Sequence, residues 1–462
     1  MKEKFVHFLA GLTCLLVLAC NGTIVPETGD NPDNNVENPD DVPGGGDDAD
    51  GDKNPVDLSA SGTANCYVIT SGGQYSFNAR VKGNGAATDG LGTPEALSPV
   101  SAELLWQDRK SMITDVTLLD GNVVFIADDA PGNAVIAVEN ANGEIIWSWH
   151  LWHPESEIRE ISTSTGYAIM NMNLGAMSTE LGLPAYGLLY QWGRKDPFPG
   201  SPVSSGGTVS TTNAPVYDID GNEVKIAASS MSTSTSNTLA YAIAHPTTCL
   251  SNGATGNGDW LMAVESSPAL WGNPEGGVTV DGKYVNKGSK SVYDPCPPNW
   301  MVPPAGLYST FTASGQYAWV NLGSDGNPTT DGAGNMSVTN YYGEDSFNVC
   351  DLNGDGIITM EDYNNGWVFA LGPAESSYFP AATRYDGTYA MFMGSMVGLW
   401  GNYWTNASAS NSDFALAMAF SVADMYGRTQ ITVSPSANGG KANAFSVRCV
   451  RIQLFHYLGY SS

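Results

Sequence analysis

The sequence predicts a mainly β fold with some α+β character. Glycine and aromatic residues are abundant among the 462 residues, whereas runs of Leu, Lys, Glu and Ala at helical spacing are scarce. Residues 133–139 and 144–152 are hydrophobic runs that flank Asn-Ala-Asn-Gly, which is the pattern of a β-hairpin. Ile146, Ser148 and His150 alternate with larger apolar residues, so the second run predicts a half-buried strand.

Residues 1–20 predict an export signal. Lys2 and Lys4 precede an apolar run over 5–19 that is too short to span a bilayer as a stable helix. The run ends in Val-Leu-Ala-Cys, which resembles the lipobox of bacterial lipoproteins, and this resemblance implies that Cys20 becomes the lipidated first residue. The alternatives are an ordinary secretory signal with an incidental cysteine, or a short anchor helix.

Residues 21–57 predict a disordered acidic tether. They hold eleven acidic residues against one lysine, with Pro and Gly between them and few apolar side chains to bury. Charge repulsion extends such a segment and makes it a spacer between an anchor and a folded head. The net charge of −28 excludes nucleic acid and anionic lipid as expected ligands, because phosphate binding needs clustered Lys and Arg.

The folded part divides into two predicted domains. Residues 58–158 predict an N-terminal β-sandwich of immunoglobulin-like size, since short strand patterns alternate with turns. Its strand candidates, besides the hairpin, are residues 64–70, 74–81 and 122–127. The remaining segment, 159–456, contains the motifs described next.

Six motifs of the second segment resemble one family. They are Asn173-Leu-Gly-Ala, Tyr186-Gly-Leu-Leu-Tyr-Gln-Trp-Gly-Arg-Lys-Asp-Pro-Phe, Tyr293-Asp-Pro-Cys-Pro-Pro-Asn-Trp-Met-Val-Pro, Phe379-Pro-Ala-Ala-Thr-Arg, Gly401-Asn-Tyr-Trp-Thr-Asn and Phe445-Ser-Val-Arg-Cys-Val-Arg. Together they resemble the Fibrobacter-type major paralogous domain, a C-type-lectin-like relative of formylglycine-generating-enzyme folds. Met301 departs from the family, which usually has Arg there.

The resemblance implies a function as well as a C-type-lectin-like domain. Such domains are common in surface lipoproteins and fimbrillin-like pilus-tip proteins of the Bacteroides group. We therefore expect an outer-membrane lipoprotein at the cell surface, with the periplasmic face as the alternative, that binds a glycan or protein ligand and associates with pilus subunits. An extracytoplasmic glycan-processing enzyme or its accessory subunit is the alternative function. The expected ligand-binding surface groups are Tyr190, Trp192, Arg194, Trp400, Tyr403 and Trp404.

The cysteines fit an oxidising compartment. In lectin-like folds a cysteine near the first helix often bridges to the last strand, so the resemblance implies a disulfide between Cys296 and Cys449. The pairing of Cys66, Cys249 and Cys350 stays open.

Residues 351–362 predict a calcium site, which would be an insertion in the family domain. The stretch Asp-Leu-Asn-Gly-Asp-Gly-Ile-Ile-Thr-Met-Glu-Asp follows the twelve-residue loop of EF-hand and dockerin proteins. Only one loop is present and no amphipathic helices flank it, so we expect a structural clip rather than a sensor. The predicted ligands are Asp351, Asn353, Asp355, the carbonyl oxygen of Ile357, Thr359 and Asp362.

Nothing in the sequence requires catalysis, and we expect a protein without enzymatic activity. His150 and His153 are three residues apart on a predicted strand, so they would face opposite sides and not share a metal ion. No cysteine and histidine cluster has zinc spacing, and no nucleophile elbow, Walker loop or dinucleotide-binding fingerprint is present. A hydrolase or a formylglycine-generating-like enzyme is the alternative.

Overall fold

β-Strands dominate the structure, as the sequence predicts. The computed structural model describes residues 54–201, 212–229, 237–252, 258–277, 279–280, 283–284, 288–322, 347–354, 360–410, 413–425 and 428–452, all of which belong to one compact unit. The predicted signal with Cys20, and the tether as far as residue 53, lie outside the described residues.

The first eight strands include every predicted strand of residues 58–158. They are Val56–Asp57 (β1), Cys66–Val68 (β2), Gly73–Asn78 (β3), Ser101–Gln107 (β4), Ile113–Leu119 (β5), Asn122–Ala127 (β6), Gly132–Glu139 (β7) and Ile145–His153 (β8). β7 and β8 form the predicted hairpin, and Gly143 in its turn adopts φ 75°, a conformation that glycine favours. β1 pairs with β3, so the last two residues of the predicted tether belong to the folded structure.

The rest of the chain adds twenty-one described strands and little helix. The next twelve are Glu160–Ser162 (β9), Ala168–Met170 (β10), Leu189–Gln191 (β11), Pro197–Phe198 (β12), Val216–Tyr217 (β13), Glu223–Val224 (β14), Ala227–Ala228 (β15), Thr248–Cys249 (β16), Thr279–Val280 (β17), Lys283–Tyr284 (β18), Trp300–Met301 (β19) and Ala318–Leu322 (β20). The last nine are Gly366–Ala370 (β21), Ser376–Pro380 (β22), Tyr385–Asp386 (β23), Met391–Phe392 (β24), Trp400–Ser408 (β25), Phe414–Met425 (β26), Arg428–Gly440 (β27), Ala444–Ser446 (β28) and Val450–Arg451 (β29). The described helices are Leu239–Ala244 (α1) and the 3₁₀ turns Leu183–Ala185, Ala305–Phe311, Met360–Asp362 and Gly394–Met396.

Two sheets share the N-terminal core. One has the order β1-β3-β6-β5 and the other the order β14-β13-β4-β7-β8-β2. Side chains from both sheets meet in this core, where the ring centroids of Phe77 and Trp149 lie 5.0 Å apart. Phe125, Ile136 and Leu151 are buried in the same cluster.

β8 is buried on both faces, so the prediction of a half-buried strand is wrong. Trp147, Trp149 and Leu151 face the N-terminal core, as their size suggests. Ser148 and His150 are nevertheless almost fully buried, because a second hydrophobic cluster covers the opposite face of the strand. We call that cluster the central core; it includes Trp152, Trp192, Trp271 and Trp404. Polar side chains on a strand are therefore compatible with burial where neighbouring segments supply hydrogen-bond partners.

The largest sheet separates the central core from a further hydrophobic cluster, which we call the C-terminal core. Its main path is β12-β11-β28-β25-β26-β27-β20, and β26 and β27 form its longest antiparallel pair. Adjacent residues of β25 point to opposite faces, as strand geometry requires: Tyr403 enters the C-terminal core and Trp404 the central core. The C-terminal core also contains Phe311, Phe369, Phe379 and Phe420.

A four-stranded sheet, β19-β29-β10-β9, brings the start and end of the second segment together. Cys296 and Cys449 precede its strands β19 and β29. Their sulfur atoms lie at bonding distance, 2.10 Å, and their Cα atoms 6.1 Å apart, in agreement with the predicted disulfide. Cys66, Cys249 and Cys350 are all buried.

The two predicted segments also contact each other directly, through a strand pairing and side-chain hydrogen bonds. β13 of the second segment pairs with β4 of the first, through Tyr217 and Gln107. The side-chain amide of Asn65 also donates to the backbone oxygens of Val292 and Asp294, at 2.8 and 2.9 Å. Both segments therefore contribute strands to one sheet across the boundary predicted near residue 158.

Candidate functional site

The two ends of the predicted calcium loop lie close together. The backbone N–H of Leu352 donates to Asp362 Oδ1 at 2.7 Å, and that of Gly354 donates to Asp351 Oδ1 at 2.7 Å. Asp362, in the 3₁₀ turn Met360–Asp362, is 1% exposed. A buried carboxylate thus faces the first turn of the loop.

The predicted ligands in the described ends of the loop carry donor atoms that suit calcium. Asp351, Asn353 and Asp362 all carry oxygens, which are the donors that a hard divalent cation requires. The other predicted ligands, Asp355, the carbonyl of Ile357 and Thr359, lie outside the described residues. Within the described part of the chain, no group of three or more His, Cys, Asp or Glu side chains could hold a metal ion.

The predicted ligand-binding side chains are mostly interior, which corrects the expectation that they lie on the surface. Tyr190, Trp192, Arg194, Tyr403 and Trp404 are buried, and only Trp400 is partly exposed.

The reason for this burial is that strands β11 and β25 lie inside the largest sheet, where their side chains support one another. Trp192 Nε1 donates to the backbone oxygen of Thr405 at 2.9 Å, and Trp404 Nε1 donates to that of Tyr190 at 2.8 Å. Tyr403 Oη donates to the backbone oxygen of Pro380 at 2.6 Å.

Three of the family motifs meet at Arg448. Its Nε and Nη2 donate to Asn173 Oδ1 at 2.9 and 2.7 Å, and its Nη1 donates to Ser377 Oγ at 2.8 Å. Nη2 also donates to the backbone oxygen of Tyr378 at 2.7 Å, and the guanidinium lies 4.0 Å from the ring centroid of Phe379. Burial lowers the pKa of Arg448 to about 10. The side chains that make the motifs recognisable therefore hold the interior together.

Three buried lysine–aspartate pairs, like Arg448, hold parts of the interior together. The Nζ–Oδ distances are 2.6 Å for Lys195–Asp196, 2.9 Å for Lys290–Asp294 and 3.5 Å for Lys441–Asp259. Lys195 Nζ also lies 2.5 Å from Ser148 Oγ, which resembles a serine–lysine dyad. The adjoining void of about 10 Å³ holds at most about one water molecule, so the dyad offers no room for a substrate.

His150 and His153 are both buried, and His153 ends β8 as predicted, whereas His150 lies inside the strand. Burial lowers the pKa of His150 to about 3, so the ring is neutral. His150 Nε2 is 2.9 Å from Asn133 Oδ1, and His150 Nδ1 is 3.2 Å from the Tyr190 hydroxyl. The sequence did not indicate these partners, which come from β7 and β11.

The hydroxyl cleft is a surface depression of about 700 Å³ that sequence reasoning missed. Its lining residues come mainly from the 3₁₀ turn Ala305–Phe311, the loop after it, β27 and the turn between β9 and β10. None of the described residues that line it is charged. They are Ser164, Thr165, Thr279, Gly306, Ser309, Thr310, Thr312, Ala313, Ser314, Gly315, Gln316, Tyr317, Asn348, Ser434 and Ser436.

The hydroxyl cleft presents one aromatic ring and several hydrogen-bonding groups. Tyr317 is 55% exposed at the cleft. The loop beneath it turns at Gly315, whose φ is 70°, and is fastened by Thr312 Oγ1, which donates to the backbone oxygen of Gln316 at 2.7 Å. Within the described structure, Thr310 Oγ1 and Ser436 Oγ have no hydrogen-bond partner. Small hydroxyl residues occur in most loops, so their sequence gives no signal of this cleft.

A second depression, the ionic groove, is similar in size but different in chemistry. It measures about 720 Å³ and lies between the β1–β2 region, β9 and β29. Arg451 Nε lies 3.1 Å from Glu160 Oε1, and the guanidinium is 5.5 Å from the ring centroid of Trp300. The groove therefore differs from the hydroxyl cleft in carrying charges of both signs among its described residues.

Comparison of the chain with protein-family models, curated proteins and solved structures found no match. Among the described helices, none combines the length and apolar character needed to cross a membrane.

Proposed function

We propose that this protein is a lipid-anchored binding protein of the bacterial cell envelope that recognises a neutral glycan through the hydroxyl cleft. The observation that carries the proposal is the lining of that cleft, whose described residues offer side-chain hydroxyls and amides, one exposed tyrosine and no charge. A glycan ring offers hydroxyls of both hydrogen-bonding polarities and an apolar face that stacks on an aromatic ring. The net charge of −28 disfavours acidic glycans.

The proposed architecture is a β-sandwich followed by a C-type-lectin-like domain. The N-terminal core shared by two sheets supports the sandwich. The contacts among the motif residues at Arg448 support the lectin-like assignment, as does the disulfide that joins Cys296 to Cys449 near the last strand. Fold alone does not specify a ligand, so the glycan assignment rests on the cleft.

The proposed anchor is a lipid on Cys20, with residues 21–53 as the spacer to the folded unit. Display at the cell surface and association with pilus subunits are part of the proposal through the family resemblance. Cys20→Ala should move the protein from the membrane fraction to the soluble fraction, and protease treatment of intact cells should degrade the wild-type protein. Unchanged membrane retention would refute the lipid anchor, and protection from protease would place the protein on the periplasmic face.

The proposed calcium ion would be held by the oxygens of the loop 351–362 and would order that loop locally. Asn348, which lines the hydroxyl cleft, lies three residues before Asp351. The backbone N–H of Asn348 donates to the oxygen of Phe311 at 2.9 Å, and that of Cys350 donates to the oxygen of Val368 at 2.8 Å. Ordering the loop would thus steady one wall of the cleft.

The experiment that tests glycan recognition is a glycan array followed by calorimetric titration of the best ligand, using the mature chain with Cys20→Ala. Tyr317→Ala should weaken binding about tenfold or more, because aromatic contacts dominate many binding sites. Tyr389→Ala is the matched control, since Tyr389 is 69% exposed and lies outside the cleft.

Four outcomes would contradict the proposal. The absence of binding to any neutral glycan would do so, and equal binding by Tyr317→Ala and wild type would remove the cleft from recognition. Turnover of the bound glycan would favour the enzymatic alternative. Binding to a protein partner, with no binding to any glycan, would show that the protein recognises its ligand through another surface.

A further inference from the structure

A cavity of about 270 Å³ opens between β4, β7 and the segment that contains the 3₁₀ turn Leu183–Ala185. Much of its wall is apolar, with contributions from Met177, Pro184, Leu188 and two further prolines, Pro199 and Pro215. Among the described residues that line it, Asp108 alone has a charged side chain. An apolar pocket with a few convergent polar groups is the usual form of a small-molecule site.

A directional chain of hydrogen bonds leads through the protein to Asp108. Because His150 is neutral and its Nε2 faces the oxygen of Asn133, that nitrogen carries the proton, and Nδ1 accepts from the Tyr190 hydroxyl. Asn133 Nδ2 donates to Asp108 Oδ2 at 2.8 Å and to the backbone oxygen of Gly175 at 2.9 Å. The whole chain therefore donates towards the Asp108 carboxylate.

The carboxylate keeps acceptor capacity for a ligand. Asp108 Oδ1 accepts from the backbone N–H of Asn133 at 2.8 Å, so each carboxylate oxygen has one bond from Asn133. An ionised carboxylate has about four acceptor positions, which leaves roughly half of them unused. Desolvation raises the pKa of Asp108 to about 6, although the hydrogen bonds from Asn133 and the charge of the neighbouring Arg109 act in the opposite direction. A cation bound at the carboxylate would offset the remaining cost of desolvation.

Two further hydroxyls in the cavity have no partner. Tyr186 and Ser201 are 2% and 8% exposed, and within the described structure neither Tyr186 Oη nor Ser201 Oγ forms a hydrogen bond. Both residues line the cavity with Asp108. A buried hydroxyl without a partner is costly, so these groups favour an occupant that can bond to them.

We propose that this cavity binds a small organic cation with a primary ammonium group, with Asp108 as its counter-ion and the hydroxyls of Tyr186 and Ser201 as further contacts. A cation is favoured over a neutral polar molecule because no lysine or arginine is among the described residues that line the cavity, and the neighbouring Arg109 forms a salt bridge with Asp128. An anion is excluded by the charge of Asp108. The short apolar wall suits the hydrocarbon part of an alkylammonium ion.

The test is titration of the mature Cys20→Ala chain with n-butylammonium, 1-butanol and butyrate, which share a four-carbon skeleton and differ in the head group. Butylammonium should bind at least about tenfold more tightly than butanol, as expected for a charge-assisted hydrogen bond, and butyrate should not bind. Equal affinity for the ammonium and the alcohol, or no binding of butylammonium, would overturn the proposal.

Variants locate the site. Asp108→Asn should weaken butylammonium binding about tenfold and leave butanol binding unchanged. Glu103→Gln, which removes an exposed acid on β4, the strand that ends just before Asp108, should change neither. Tyr186→Phe tests the second contact and should weaken binding by a smaller factor. Undiminished ammonium binding by a folded Asp108→Asn protein would refute the assignment. If that variant does not fold, the comparison of the three probes on wild-type protein still decides.

Discussion

The surroundings of Arg448 and the hydroxyl cleft differ in how their polar groups are used. Arg448 is fully buried, and all three of its guanidinium nitrogens donate to protein oxygens. The described residues that line the cleft carry no charge, and two of their hydroxyls, on Thr310 and Ser436, are buried without a hydrogen-bond partner in the described structure. A conspicuous side chain with every hydrogen bond satisfied therefore stabilises the fold, whereas unremarkable side chains with unused bonding capacity are better placed to bind a ligand.

The largest expected effect comes from the disulfide. Cys296→Ala should lower the free energy of unfolding by up to about 5 kcal/mol, because 153 residues separate the two cysteines and the bond restricts the unfolded chain. Urea unfolding of the variant and wild type measures this loss. Peptide mapping under non-reducing conditions that found both thiols free would contradict the prediction, and so would equal stability.

Arg448→Met should cost about 4 kcal/mol of unfolding free energy, since it leaves buried oxygens of Asn173, Ser377 and Tyr378 without donors. Arg451→Met is the matched control from the same motif. Arg451 forms an exposed pair with Glu160, so its loss should cost less than about 1 kcal/mol. Equal losses in the two variants would remove the distinction between interior and surface.

His150 should make the protein less stable in acid. Its pKa is lowered in the folded state, so its neutral form stabilises the protein above pH 6.5, and this contribution is lost as the pH falls towards about 3. Between pH 7 and pH 4.5 the loss should be about 2.5 kcal/mol. Urea unfolding at both pH values should show a smaller difference for His150→Gln than for wild type. The exposed His245→Gln control should behave as wild type.

Calcium should raise the stability by about 2.7 kcal/mol at a hundredfold excess over its dissociation constant, if it binds only the folded state. Thermal melting in calcium and in chelator measures this difference, and Asp351→Ala should abolish it. Asp115→Ala, which removes an exposed carboxylate on β5, should retain it. Identical melting of the wild-type protein in calcium and in chelator would refute the calcium site.

The sequence predicted the elements whose signal is local. The hairpin of β7 and β8 follows from two hydrophobic runs around Asn142-Gly143, and the strand at 122–127 follows from its apolar residues. The pairing of Cys296 with Cys449 came from the family resemblance, since no local pattern connects residues so far apart.

The sequence could not predict features that depend on distant contacts. The alternating pattern predicts that Ser148 and His150 face solvent, whereas in the structure the central core covers them. Tyr190 and Trp404 likewise suit either a binding surface or an interior, and only the pairing of β28 with both β11 and β25 decides between the two. The hydroxyl cleft gathers short polar residues from segments about 270 positions apart, none of which is distinctive by itself.

The proposed separation of ligand-binding residues from stabilising residues can be tested by one paired measurement. Glycan affinity and unfolding free energy would be measured together for Tyr317→Ala and Trp404→Phe. Tyr317→Ala should lose about tenfold or more in affinity with less than about 0.5 kcal/mol in stability. Trp404→Phe should lose about 2 kcal/mol in stability, because it removes the hydrogen bond to the backbone oxygen of Tyr190. The variant should keep its glycan affinity. A folded Trp404→Phe protein that loses glycan binding, beside a Tyr317→Ala protein that keeps it, would contradict the account.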